Sequence, residues 1–158
     1  MSIENARAWL AQKGFANRVQ EFSVSSATVE LAAQALRCEP CRIAKTLSFG
    51  MGEKAVLVVM AGDAKVDNAA FKAAFGVKAK MLAGDEVEGR IGHAVGGVCP
   101  FGIREAVPVY LDESLRRFDT VYPAAGSANS AVRLSVPELE ATVQQFAGWV
   151  DVGKGWRD

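Results

Sequence analysis

The sequence predicts a single domain of mixed α/β class (α+β in its irregular order), and three observations carry that prediction. The chain has 158 residues, half of them hydrophobic, enough for one substantial core and too few for two. Segments of helical period interleave irregularly with alternating or continuous apolar segments, and no internal repeat is present. The connections include a hairpin as well as longer crossovers, which favours a mixed sheet over a doubly wound parallel one.

The elements follow in order. Ile3, Ala6, Trp9 and Leu10 recur at helical spacing over residues 2–13, and Gly14 stands where that helix would stop. Residues 19–24 are short and β-prone. Thr28 can cap a second helix over residues 29–37, whose Val29, Leu31, Ala32, Ala35 and Leu36 form a wide apolar face. The period then changes. Residues 42–49 alternate, with Ile43, Lys45, Leu47 and Phe49 on one side and Arg42, Ala44, Thr46 and Ser48 on the other. Gly50, Met51, Gly52 and Glu53 form a hairpin turn, and residues 54–61 read as a strand buried on both faces.

Asp67 opens a helix through Phe75 with Gly76 as its stop. A short strand is expected at 79–82, a helix at 85–91, and a loop at 92–102, which holds four glycines and a proline. Strands are expected at 106–111, 120–123 and 131–134, with a helical turn at 115–118 and a small-residue loop at 124–130. Ser135, Pro137 and Glu138 make a capping box with proline in the first turn, starting a helix expected to run to about Ala147 and end at Gly148. Residues 149–158 form a tail or a last edge strand.

Composition excludes several function classes. Eighteen basic and eighteen acidic side chains cancel, which argues against a broad electrostatic footprint on a nucleic-acid backbone while allowing a grip on one RNA end. No apolar run approaches membrane-spanning length, and the N-terminus lacks the basic start and apolar stretch of a signal peptide. Three cysteines do not make a disulfide framework. A cytoplasmic protein with reduced thiols and no membrane association is expected.

Cys38 and Cys41 form a C-x-x-C sequence, but it follows a helix and precedes a strand, the reverse of the order that lowers a thiol pKa. A zinc site would need two further ligands, and His93 and Cys99 stand at no recognisable spacing for it. His93 is the only histidine and is expected at the surface of its loop. No G-x-S-x-G elbow or phosphate-binding loop is present.

Two features point to chemistry. Lys45 lies on the apolar side of a strand, where burying an unpartnered ammonium costs several kcal/mol, roughly, or lowers its pKa. The loop containing Gly96, Gly97, Val98, Cys99, Pro100, Phe101 and Gly102 lets a ligand approach backbone N–H groups closely, and such amides can hold the oxyanion of acyl transfer.

These residues form a set. The run Ile43, Ala44, Lys45, Thr46, Leu47, then Gly62, Asp63, Val66 and Asp67, then the 96–102 loop, then Gly126 and Ser127, resembles the YbaK-like aminoacyl-tRNA deacylases, free-standing relatives of the editing insertion of prolyl-tRNA synthetase. The order and spacing match over residues 20–147. The resemblance implies one domain over residues 1–158 with a barrel-like mixed sheet surrounded by helices, no metal and no cofactor. It implies hydrolysis of the ester joining a small amino acid to the tRNA 3′ end, with tRNA-Pro as the carrier. Lys45 would place the substrate for attack by water. Gly96, Gly97, Val98, Cys99 and Pro100 would bind the aminoacyl carbonyl, and Gly126 and Ser127 would line the pocket. The implied partners are the acceptor end of aminoacyl-tRNA and an aminoacyl-tRNA synthetase. Some relatives carry a histidine in the segment corresponding to residues 126–135, which has none here, so their selectivity does not transfer. The alternative is a non-catalytic module that binds the charged tRNA end or a synthetase.

Overall fold

The computed structural model describes residues 2–157; Met1 and Asp158, the latter the end of the expected tail, lie outside it. The chain runs through α1 (Ser2–Gln12), β1 (Val19–Glu21), α2 (Val29–Leu36), β2 (Ile43–Met51), β3 (Lys54–Ala61), β4 (Lys65–Val66), α3 (Asn68–Phe75) and α4 (Gly84–Ile91). It continues through β5 (Val109–Asp112), β6 (Thr120–Pro123), β7 (Ser130–Val132), β8 (Leu134–Ser135), α5 (Val136–Thr142), β9 (Phe146–Val150) and β10 (Gly153–Lys154).

Six strands form one mixed, curled sheet in the order β8-β6-β2-β3-β5-β9. Strands β2 and β3 are an antiparallel hairpin closed by Met51 opposite Lys54, so the turn is the pair Gly52–Glu53, with Gly52 at φ +68° where only glycine is unstrained. Strand β3 pairs in parallel with β5, β5 in parallel with β9, and β2 in parallel with β6. Two short antiparallel pairs, β1 with β7 and β4 with β10, flank this sheet.

The continuous apolar run of β3 has the role its pattern predicted. Leu57, Val59 and Ala61 face one core, shared with Leu10 of α1, Ile91 of α4 and Leu139 of α5. Val56, Val58 and Met60 face a second core with Phe49 and Phe71. A chain of aromatic contacts, Phe49–Phe71–Phe75–Tyr110 with centroids 4.5–4.9 Å apart, fastens α3 to that face.

Where the structure departs from the sequence reading, tertiary hydrogen bonds decide. Helix α5 begins in the expected capping box, with both Ser135–Glu138 bonds formed, but ends at Thr142 instead of continuing to Ala147. The Gln144 side chain holds both the N–H and the C=O of Ile103 (2.9 and 3.1 Å), and Gln145, at φ +56°, donates to the carbonyls of Arg104 and Val107. Residues 146–150 are thereby delivered to the edge of β5 as a strand. The strand expected at 79–82 is reduced to one bridge, Phe49 opposite Met81. The strand expected at 131–134 splits into β7 and β8, which pair in different sheets on either side of Arg133.

Candidate functional site

Strand β2 is covered by β6 only at Ile43 and Ala44. Strand β6 ends there at Pro123, which has no N–H to extend the ladder. Further along β2 the edge is covered again, where the N–H of Leu82 donates to Ser48 O (3.1 Å) and the N–H of Gly50 to Lys80 O (2.8 Å). Between these two seams lies a cavity of about 400 Å³. Its wall is built from the start of α2 (Ser26 to Val29, Ala32), six consecutive β2 residues (Ile43 to Ser48), Met81, Leu82, Val87, Val95, Gly96, Val98, Tyr122 and Ser130, among others. Because the cavity opens along a strand edge, residues from both sides of the alternation reach it. Thr46 therefore belongs to the wall beside Lys45, although alternation alone sends it to the opposite face.

Among the described residues, Lys45 is the only charged side chain in this wall. Its Nζ donates to the carbonyls of Ala64 and Gly62, the latter at 3.4 Å. Burial holds its pKa below the ordinary lysine value; Asp63 and Glu30 oppose that shift and Lys65 adds to it. Two of an ammonium's three N–H groups are thus engaged, leaving one for a ligand. The Gly62–Asp63 motif explains the lysine's posture. A Cβ on Gly62 would sit 2.1 Å from Pro40 O, so only glycine brings this turn against the segment before β2. Arg117 grips Asp63 through two bonds (2.6 and 2.9 Å), holding that carboxyl below its usual range and fixing the turn that holds Lys45.

The glycine loop meets the cavity through Gly96 and Val98. The N–H of Gly97 is satisfied within the loop by Ala94 O (3.0 Å), whereas no acceptor among the described residues meets the N–H of Gly96 or Val98. Gly97, Cys99, Pro100, Gly126 and Ser127 lie behind the wall. A Cβ on Gly97 would fall 2.7 Å from Ser127 N and 2.9 Å from Gly126 C. The two motifs therefore pack backbone to backbone, through Gly97 and Gly126, nearly thirty positions apart in the sequence. Ser127 Oγ shares a hydrogen bond with Ser130 Oγ (2.7 Å), a residue of the wall.

Behind the loop the structure corrects the expectation for His93. It is fully buried, not at the surface. Its Nε2–H donates to Phe101 O (2.6 Å), closing the loop from within, and burial lowers its pKa so that the ring is neutral. Cys99 packs in the core beside it, and burial pushes its thiol up to about 12. Burial also raises the Cys38 thiol, the opposite of what a redox cysteine requires.

Sequence reasoning did not single out Ser26, Thr46, Tyr122, Ser130 or Arg117. Ser26 Oγ and Thr46 Oγ1, both on the cavity wall, are buried with no hydrogen-bond partner among the described residues, so each is free to bond a water or a ligand in the cavity. Among the described residues, no three of His, Cys, Asp and Glu converge as metal ligands, and no helix is long and apolar enough to cross a membrane.

The YwhH protein of Bacillus subtilis, whose function is uncharacterised, is 49% identical over 158 residues, covering 99% of both chains. Proline–tRNA ligase of Bacillus cytotoxicus is 33% identical over 88 residues, 55% of this chain and 16% of the ligase. A crystal structure of a candidate trans-editing enzyme for prolyl-tRNA synthetase superposes with a TM-score of 0.87 at 30% identity over 98% of each chain. Residues 24–142 match the model of the aminoacyl-tRNA editing domain, a span that holds Lys45, its Gly62–Asp63 turn, the glycine loop and Ser127 together, and the chain belongs to that family.

Proposed function

We propose that this protein is a trans-editing hydrolase that removes a small, wrongly attached amino acid from tRNA, with tRNA-Pro as the main carrier. The observation that carries the reading is the single ammonium of Lys45 in the wall of a small, otherwise uncharged cavity beside two free loop N–H groups. The names borne by the ligase and by the trans-editing structure support the choice of carrier.

In this reading the aminoacyl ester enters the cavity with its carbonyl oxygen toward the N–H groups of Gly96 and Val98. These donors and the third N–H of Lys45 offset the negative charge that develops on that oxygen. Water attacks the carbonyl carbon, the bond to the ribose oxygen breaks, and that oxygen takes a proton, releasing free amino acid and tRNA. The described residues of the wall include no imidazole or carboxylate, so in this reading the proton is passed by water assisted by a ribose hydroxyl of the substrate. Ser26 and Thr46 supply hydrogen bonds to polar groups of the bound ester. A pocket of this kind excludes large side chains by clash but separates neighbours differing by one methylene by only about 1–3 kcal/mol, so activity on more than one small amino acid is expected.

The test is a panel of aminoacyl-tRNAs with wild type and Lys45→Ala side by side. The expected result is release of one or two small amino acids, reduced about 10²–10³-fold in the variant, with circular dichroism unchanged. Full activity of folded Lys45→Ala would overturn the mechanism. No release from any member by the wild type would replace the hydrolase with a binding module.

A further inference from the structure

The charge of this chain sums to zero, yet it is not evenly spread beside the cavity. Residues 68–84 carry Lys72, Lys78 and Lys80 and no carboxylate. All seven ion pairs among the described residues are made by arginines. Lys72, Lys78 and Lys80 are exposed, and none of their ammonium groups has a partner.

The stretch that bears two of these lysines is held firmly. Residues 77–82 cover the edge of β2 beyond the gap, pinned by Gly50 N–H to Lys80 O and by Leu82 N–H to Ser48 O. The same strap enters the cavity wall through Met81 and Leu82. Its exposed face is apolar as well as basic: Val77 is 42% exposed and Met81 54%, and Val95, on the cavity wall near Gly84, is 65% exposed. Apolar side chains exposed at a cavity mouth, beside lysines that no acid pairs and ahead of the acids Asp85, Glu86 and Glu88 of α4, form a surface that a partner can cover. Covering it with an apolar protein face would bury unpaired ammonium groups at a cost of several kcal/mol, roughly. A single-stranded polynucleotide meets both demands, since its phosphates pair with the lysines and its base faces lie on the apolar side chains.

We infer that residues 77–82 are the docking strap for the single-stranded 3′ end of the tRNA. Lys78 and Lys80 neutralise its backbone phosphates, and Met81 and Val95 pack against its bases as the terminal nucleotide enters the cavity. This rests on the proposed tRNA substrate, but its test does not need hydrolysis.

The experiment measures binding of an uncharged acceptor-stem RNA hairpin with a single-stranded 3′ end, by fluorescence anisotropy over a range of salt concentrations. The proteins compared are wild type, Lys78→Gln/Lys80→Gln, and Lys13→Gln as a surface control. The double variant is expected to bind on the order of tenfold more weakly, with its log–log salt slope shallower by about 1.4, from two single-strand phosphate contacts. Lys13→Gln is expected to match wild type. Equal affinity and slope in the double variant, an equal loss in Lys13→Gln, or no hairpin binding by wild type would overturn the strap. Hairpin binding that depends on Lys78 and Lys80, without release of any amino acid in the panel, would sustain the strap and remove the hydrolase.

Discussion

Lys45 concentrates the physics of this protein in one side chain. Burial disfavours its charge and outweighs the opposing pull of Asp63 and Glu30, while the carbonyls of Gly62 and Ala64 hold its Nζ in place with one donor free. Its oddity could be read from the sequence, because a lysine on the apolar side of a strand calls for a reason. Its partners could not, since backbone carbonyls carry no sequence signature. His93 gives the complementary lesson. Nothing local distinguishes a surface histidine from one buried under its own loop, and the outcome depended on Phe101 O lying 2.6 Å away. Its depressed pKa gives a signed prediction. The native ring stays neutral, whereas the unfolded ring binds a proton below about pH 6.5, so the unfolded state holds more protons there. Stability therefore falls as pH drops from the ordinary histidine value to the lowered native one, by up to about 1.4 kcal/mol per pH unit. Urea unfolding of wild type and His93→Asn between pH 7 and 5 checks this: the variant is expected to be less stable at pH 7 and to lack that component of the slope. Parallel pH profiles would reject the assignment.

At the scale of elements, glycines with the same local appearance have opposite roles. Gly97 lies against the Gly126–Ser127 backbone, where an added Cβ has no room. Gly89 lies inside α4 with nothing within 4 Å of an added Cβ. Gly97→Ala is expected to destabilise by about 1–3 kcal/mol through overpacking and to depress hydrolysis by moving the Gly96 and Val98 donors. Gly89→Ala is expected to stabilise by about 0.5–1 kcal/mol by restraining the unfolded chain and favouring the helix. Thermal unfolding of the two variants settles both, and the same sign for each would refute this reading of the loop. Most helix starts were legible, because Thr28, Asp67 and Ser135 cap through their own side chains. The end of α5 was not legible. It is set by Gln144 and Gln145 reaching residues about forty positions earlier.

For the molecule as a whole, the C-terminal segment is fastened by one buried carboxylate. Asp112, at the end of β5, accepts the N–H groups of Ser114 (3.0 Å), Val152 (2.8 Å) and Gly153 (3.2 Å). It joins the sheet to β10 and, through the β4–β10 pair, to the turn that holds Lys45. Asp112→Ala strands three buried donors, so a loss of about 3 kcal/mol or more is expected. A shift in the urea midpoint measures it, and a midpoint within error of wild type would show that the tie is dispensable.

The sequence by itself determined the mixed α/β class, the two-faced burial of β3, most helix starts and the suspicion attached to Lys45 and the glycine loop. Those follow from period, capping chemistry and the cost of burying charge, all written within a few residues of one another. Only the tertiary structure decided that β6 leaves β2 uncovered after Ala44, that the cavity forms in that gap, and that Thr46, Ser26 and the 77–82 strap surround it. A site at the uncovered edge of a strand is defined by which partner strand stops and where, and that is a property of pairing between distant segments.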